Sequence, residues 1–409
     1  MSETILVTWD TRKAALSGLP GAARLAFALA EHIRCGTLEV CLPDKRTLLF
    51  RGPQPGPSAR MIVKDYRFAW RTMRSGDIGV AESYLRGEWE TPDLTAFLYL
   101  FCINREMMER VLGGNTIVRW FQVLRHWLNR NTRRQARKNI HAHYDLGNAF
   151  YSAWLDPTMT YSSALFDAGG NDLTAAQLRK YQSLAQSIDL KPAQSVLEIG
   201  CGWGGFAEFA AKTYDARVVG LTISREQHDF ARRRVFEAGL ADKVDIRLQD
   251  YRDERGRYDR IASIEMLEAV GEQFWPAYFQ QLRDRLKPGG AAGIQTITIQ
   301  ERFFDNYKRE IDFIRRYVFP GGMLPTPSTL KSLGERFGVP FRTERIFGED
   351  YARTLAVWRE RFRDAWPQIT PLGFDERFRR LWEYYLAYCE AGFLSRNIDV
   401  RQMVFTRGG

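Results

Sequence analysis

Cysteine is scarce in this chain: Cys35, Cys41, Cys102, Cys201 and Cys389 are the five among 409 residues, and no short spacing pairs them. A disulfide scaffold is therefore excluded, and the scatter suits a reducing cytosol. Apolar runs are short as well, and none approaches the roughly 20 residues that a membrane-crossing helix needs. The polar Thr8-Trp-Asp-Thr-Arg-Lys13 leaves no secretory apolar region after Met1, so a cytoplasmic location is expected. Histidine is equally thin, with five in all. His141 and His143 resemble a metal pair, but no further His or Cys cluster supports them, and no metal is expected. There is no Ser-His-Asp arrangement with nucleophile-elbow glycines, no internal repeat and no low-complexity tract.

What is present is basic and aromatic. The net charge is +10, the sequence pI is near 9.4, and aromatic residues make up 13% of the chain. Such a balance implies a polyanionic partner, either nucleic acid or an anionic membrane surface. With 45% hydrophobic and 26% charged residues the chain is globular and long enough for two or three domains. Residues 19–33 read as a helix, 37–42, 46–51 and 60–64 as strands, and 68–73 and 94–111 as helices, which gives an α+β N-terminal unit over residues 1–124. Residues 125–138 carry Arg125, Arg130, Arg133, Arg134, Arg137 and Lys138 with no acid between them. They read as a basic linker, either a solvated face or, with Trp120, Phe121 and Trp127 nearby, a contact with anionic headgroups.

From residue 189 onward strands and helices alternate in the manner of a doubly wound α/β sheet. Strands are expected at 195–199, 216–221, 244–248, 260–264, 291–297, 342–347 and 401–406, with a turn at Lys287-Pro-Gly-Gly290. The first strand runs into Gly200-Cys-Gly-Trp-Gly-Gly205, whose Gly200, Gly202 and Gly205 fit G-x-G-x-x-G. Glycines let backbone approach a ligand at a helix N-terminus. A dinucleotide would want an acid about 20 residues on, and that place holds Gly220-Leu-Thr-Ile-Ser224. Glu198, two residues before the first glycine, instead suits a ligand with a cationic end, S-adenosylmethionine. Cys201, between glycines, reads as spacing. In open α/β sheets ligands sit beyond the carboxyl ends of the strands, which singles out Thr222 to Gln227, Asp250, Tyr251, and the acids Glu265 and Glu268. Asp250 is a candidate partner of an adenine amino group or a capping residue; Tyr251 would pack on the adenine ring or in the core. Glu268 is the acid given a catalytic role.

Two long inserts, 303–327 and 358–394, are dense in aromatic residues. Phe378, Leu381, Trp382 and Tyr385 recur at i, i+3, i+4 and i+7, first of all a core face, and alternatively the wall of an apolar tunnel whose rings stabilise a cation.

Several motifs together resemble the cyclopropane fatty acid synthases and the mycolic acid cyclopropane synthases. They are His143-Tyr-Asp-Leu-Gly-Asn148, Thr160-Tyr-Ser162, Val196 to Gly205, Thr222-Ile-Ser224, Gln249-Asp-Tyr-Arg-Asp253, Phe319-Pro-Gly-Gly-Met-Leu-Pro325, Phe347-Gly-Glu-Asp-Tyr351 and Val400-Arg-Gln-Met-Val-Phe405. The resemblance runs from about residue 138 to the C-terminus. It implies a Rossmann-like, seven-stranded class I methyltransferase domain over 139–409 with helical lid inserts, and a smaller lipid-engaging α+β domain before it. It also implies methyl transfer from S-adenosylmethionine to a double bond of an acyl chain in a phospholipid, through a carbocation. Tyr161, Ser162, Gly200, Gly202, Thr222, Gln227, Asp250 and Tyr251 would hold the cofactor, with Glu198 and Gly204 in the same loop. The enzyme would work at the inner face of an anionic membrane, as a monomer or a homo-oligomer, and nucleic acid is not its expected partner.

In that family the base resembles a bicarbonate held by a Cys, a Glu, a His, a Tyr and the backbone at an Ile. Here Glu268, Tyr351 and Ile297 match, but the Cys position is Ser163, the His position is Gln295, and Ala269 follows Glu268 where His is usual. Ser and Gln donate hydrogen bonds to an anion but do not titrate near neutrality. Bicarbonate binding is thereby weakened as an expectation. A methylene, methyl-branched or methylated unsaturated product is favoured over a ring.

Overall fold

The structure, a computed structural model, describes residues 4–106, 146–167 and 169–409. The basic segment 125–138 and the pair His141 and His143 lie outside the described residues. The described chain separates into two compact units, and the first is not contiguous in sequence: to the N-terminal residues it adds Arg309–Arg316 and Gly373–Asn397. Parts of both aromatic inserts thus belong to the N-terminal unit.

That unit is built on a five-stranded sheet in the order β1 (Thr4–Leu6), β3 (Thr47–Arg51), β2 (Cys35–Cys41), β4 (Gln54–Val63), β5 (Trp89–Glu90). Strand β2 alternates strictly, with Leu38 and Val40 buried, so one face is apolar and seats helices. Phe27, from the helix Gly21–Ala30, packs on Phe50 of β3 at 6.2 Å and on Phe68 of the helix Arg67–Leu85 at 5.8 Å. The latter helix is interrupted at Gly76, whose φ of 57° only glycine adopts cheaply. Asp93 caps the apolar helix Leu94–Ile103 through the Ala96 N–H at 3.0 Å. Against this helix lies Glu376–Leu394, where Thr95 donates to Glu390 at 2.8 Å and Tyr384 packs on Tyr84 at 5.6 Å. Trp382 and Tyr385 are buried in that packing, which is the core-face reading of their spacing.

The second unit holds a seven-stranded sheet in the order β11 (Phe341–Ile346), β12 (Ile398–Thr406), β10 (Leu286–Ile299), β9 (Tyr258–Ile264), β6 (Ser195–Ile199), β7 (Arg217–Thr222), β8 (Val244–Leu248). All seven expected strands are present, with ends shifted by a few residues. Strands β6 to β10 are parallel, and β12 runs antiparallel between β10 and β11. At Lys287-Pro-Gly-Gly290 the chain does not make a free turn. Strand β10 begins at Leu286 and shifts register against β9 before Ala291, the glycines accommodating the irregularity. The order reverses at β6, between β9 and β7, so the carboxyl end of β6 opens on the crevice where such sheets bind ligands.

Candidate active site

Strand β6 delivers Glu198 and then a turn of left-handed glycines, with φ of 80° at Gly200, 53° at Gly202 and 81° at Gly204. A side chain at Gly200 would put Cβ 2.6 Å from the Cγ of Met266, so the position is fixed by close approach as well as by φ. The Gly200 and Cys201 N–H groups donate to the Leu221 carbonyl at 2.9 and 2.8 Å, tying the turn to β7 before the helix Gly205–Tyr214 begins. Cys201 is buried, and loss of hydration holds its thiol well above the usual range, which agrees with spacing and not with a nucleophile. Glu198 is buried, and its Oε2 has no hydrogen-bond partner among the described residues. Burial raises its carboxyl to about 8, while the Ala207 N–H, Lys180 and Arg234 pull the other way. A buried acid with an unused oxygen beside a glycine turn fits the ammonium end of S-adenosylmethionine, whose arrival would ionise it.

Around that loop, Ser224 caps the helix Arg225–Glu237 through the Gln227 N–H, and Thr222 donates to the Gln227 Oε1 at 3.0 Å. Asp250 is committed locally: Oδ1 accepts from the Arg252 N–H at 3.0 Å and Nε at 2.9 Å, and Oδ2 from Nη2 at 2.6 Å. Its capping role is realised. Tyr251 packs edge-on against Tyr278, with a buried hydroxyl that has no partner among the described residues. Tyr161 sits in a box of rings, with centroids 5.3 Å from Tyr151, 5.7 Å from Trp154 and 5.3 Å from Trp358. Ser162 is gripped by the helix Leu173–Ser187: Lys180 Nζ donates to its hydroxyl at 2.7 Å, and Gln177 Nε2 to its carbonyl at 2.9 Å. Lys180 is fully buried, and burial lowers it to about 8 against the pull of Glu265, Asp156 and Glu198.

The five residues aligned with the family's anion site come together around two acids. Glu268, on the turn after β9, accepts at Oε1 from the Ile297 N–H at 2.5 Å and the Thr296 hydroxyl at 3.0 Å. Its Oε2 is buried without a partner among the described residues. Loss of hydration, and then the neighbouring Glu265, raise it to about 8, so it is neutral at pH 7. Glu265 takes the other three residues. Its Oε1 accepts from the Ser163 N–H at 2.9 Å and Gln295 Nε2 at 2.8 Å, and its Oε2 from the Tyr351 hydroxyl at 2.5 Å. The Ser163 hydroxyl turns away to the Ala164 carbonyl at 2.9 Å. Glu265 has a φ of 50°, a strained geometry for a glutamate, which suggests a functional constraint. Burial raises its carboxyl, while Lys180, Tyr351, Gln295 and the Ser163 N–H favour its charged form. The donors expected to hold a bicarbonate are therefore spent on a carboxylate of the chain itself, and the site does not fit a separate anion. Sequence reading gave Glu268 the catalytic weight and left Glu265 a bystander. The signal was there in two halves, an acid at the end of β9 and the absence of the Cys and His.

A parallel sheet with one reversed strand, a glycine turn at its switch point and a buried acid behind that turn define an S-adenosylmethionine-dependent methyltransferase. The model of the mycolic acid cyclopropane synthetase family matches residues 131–403, and the chain belongs to that family. Among its relatives, the tuberculostearic acid methyltransferase UfaA1 of Mycobacterium tuberculosis is 40% identical over 375 residues, 87% of this chain and 84% of that protein. The cyclopropane-fatty-acyl-phospholipid synthase of Escherichia coli is 38% identical over 355 residues, 86% of this chain and 88% of that one. Of the solved structures, the cyclopropane synthase MmaA2 from Mycobacterium tuberculosis superposes with a TM-score of 0.62 at 28% identity, covering 66% of this chain and 98% of its own. The mycolic acid cyclopropane synthase CmaA1, complexed with S-adenosylhomocysteine (SAH) and CTAB, gives 0.63 at 28% identity over the same shares. Among the described residues no helix is long and apolar enough to cross a membrane.

Proposed function

We propose that this methyltransferase acts on the double bond of an unsaturated phospholipid acyl chain and that Glu265 removes the proton that ends the reaction. The observation that carries the reading is the set of hydrogen bonds from the Ser163 N–H, Gln295 and Tyr351 to the Glu265 carboxylate. S-adenosylmethionine, when bound, supplies an electrophilic methyl group whose uptake by an alkene leaves a carbocation on the acyl chain. Tyr161, Ser162, Glu198, the glycines 200, 202 and 204, Thr222 and Gln227 are the residues we assign to holding it. Asp250 and Tyr251 close the adenine end, Tyr251 through its ring.

The two acids divide the work. Glu268, whose carboxyl burial and the neighbouring Glu265 push up to about 8, competes little for the proton, and its uncharged form spares Glu265 a like charge. Glu265, whose charged form Lys180, Tyr351, Gln295 and the Ser163 N–H favour against burial, stabilises the cation by its field in that form and accepts a proton from it. The rings of Tyr161, Trp154 and Trp358 exclude water and offer their faces to positive charge. If the cation first moves by hydride shift to the methyl-bearing carbon, loss of a methyl proton gives a methylene branch on the open chain; if it does not, the same proton loss closes a ring. Because Glu265 is fixed to the chain and the titrating His is replaced by Gln295, we favour the methylated, unsaturated product. The names of the relatives cover both a cyclopropane synthase and a fatty acid methyltransferase and so do not choose between these outcomes.

The test is turnover on vesicles of unsaturated phosphatidylglycerol with deuteromethyl-labelled donor, followed by ozone cleavage of the acyl chains. A methylene or alkene product is cleaved and a cyclopropane is not. A wholly ozone-resistant product carrying the label would refute the product assignment. Label entering RNA or DNA in preference to lipid would refute the substrate, and donor binding without turnover would refute the activity.

A further inference from the structure

We infer that Gln402, on β12, is a positioning residue for the reaction: it fixes which end of the Gln295 amide faces Glu265. The inference rests on the reading of Glu265 as the proton acceptor. Gln295 and Gln402 are cross-strand partners on β10 and β12, and both side chains are buried. An amide offers hydrogens at one end and lone pairs at the other, so a Gln295 turned the wrong way would set an oxygen against the Glu265 carboxylate and repel it. The network leaves a single consistent orientation. Gln402 Nε2 lies 3.1 Å from the Lys180 carbonyl, which can only accept, so the NH2 end of Gln402 must face it. Its Oε1 then receives the Ser183 hydroxyl at 2.7 Å. The second hydrogen on Nε2 goes to the Gln295 Oε1 at 3.1 Å, which, with the Ser163 carbonyl 3.4 Å from Gln295 Nε2, holds the Gln295 NH2 end toward Glu265 at 2.8 Å. A backbone carbonyl of the helix Leu173–Ser187 thus sets, through two amides, the hydrogen bond that steadies the charged acid.

The other groups that face Glu265 are Lys180 from that helix, Glu268 from the turn after β9 and Tyr351 from the helix Gly348–Ile369. Glu268 and Tyr351 do not touch Gln402 in the network above; Lys180 does, through its backbone carbonyl, so the double variant with Gln295→Met separates an effect carried by Gln295 from one carried by Lys180.

The experiment compares Gln402→Glu, Ser183→Ala, Gln295→Met, the double variant of Gln402→Glu with Gln295→Met, and Glu265→Gln, each read for kcat, its pH profile and donor affinity. A glutamate at 402 has no NH2 group to serve the Gln295 oxygen and the Lys180 carbonyl together. Expected is a fall in kcat of about a hundredfold, an acidic limb moved up by about one pH unit, and donor affinity within about twofold of wild type. In the double variant the second change adds nothing, because Gln295→Met has already removed the donor. Should Gln402→Glu fail to fold, Ser183→Ala carries the test with a loss of roughly fivefold and the same direction of pH shift. An unmoved acidic limb in folded variants, with Glu265→Gln inactive, overturns the role of Gln402. Full activity of Glu265→Gln overturns the assignment of the base instead.

Discussion

Replacing Glu265 by Gln is the perturbation from which the proposed chemistry has most to lose. The side chain keeps its length, and the Ser163 N–H and Gln295 can still donate to an amide oxygen, so two of three contacts survive. The third becomes an NH2 facing the Tyr351 hydroxyl, which can rotate to accept. The fold should therefore hold. The removal of a partly desolvated charge, a destabilising element that burial already penalises, offsets the weakened hydrogen bonds. Catalysis should not hold, because an amide cannot take the proton. A positioned base contributes about 10²–10⁴ in rate, or roughly 2.7–5.4 kcal/mol at 1.36 kcal/mol per decade. The assay is release of SAH on vesicles of unsaturated phosphatidylglycerol, run beside thermal unfolding and calorimetric donor binding. The reasoning predicts a fall of at least about a hundredfold with donor affinity and melting temperature near wild type. A turnover within about threefold of wild type, giving the same product, would refute it.

Tyr351→Phe removes the O–H donor to the Glu265 Oε2 at 2.5 Å; the acidic limb of kcat should rise by about one pH unit, with roughly tenfold lower activity at pH 6.5, and an unchanged limb would count against the contact. Glu268→Gln tests the neutral acid through stability. A carboxyl raised from 4.5 to about 8 stabilises the fold fully below pH 4.5 and loses that contribution as pH rises toward 8. Denaturant melts of the variant should show a flatter decline between pH 5 and 8, by up to about 1.4 kcal/mol per pH unit, and identical slopes would refute it. Lys180→Met cuts the 2.7 Å bond to Ser162, and donor affinity should weaken by about tenfold or more by calorimetry. Gly200→Ala drives Cβ to 2.6 Å from Met266 and strains a φ of 80°; both donor affinity and melting temperature should fall.

The donor loop was legible because its chemistry is local. Glu198, the three turn glycines and the following helix lie in one stretch, and alternation of strand and helix supplied the sheet around them. Residues scattered along the chain were legible only singly. Ser163, Gln295, Ile297, Tyr351 and Glu268 were named as a set, but the acid that takes the Ser163 N–H, Gln295 and Tyr351 is a sixth residue, Glu265, brought among them by a left-handed backbone that no propensity announces. The aromatic insert at 358–394 shows the opposite limit. Its helical spacing was right, yet spacing states that a face is buried and not which unit buries it, and Glu376–Leu394 packs with the helix Leu94–Ile103. Asp250 was legible only as a strand-end acid: its ion pair with Arg252, two residues on, is not something a list of such acids reveals.

The central claim is that the proton acceptor is a carboxylate of the chain and not a captured anion. It is tested most directly by measuring turnover in buffer purged of carbon dioxide and again with added bicarbonate, for the wild type and for Glu265→Gly, whose missing side chain leaves the Ser163, Gln295 and Tyr351 donors free. The account predicts a wild-type rate indifferent to bicarbonate and a Glu265→Gly rate that is low and rises when bicarbonate is added. A wild-type rate that collapses on purging and returns with bicarbonate would contradict it.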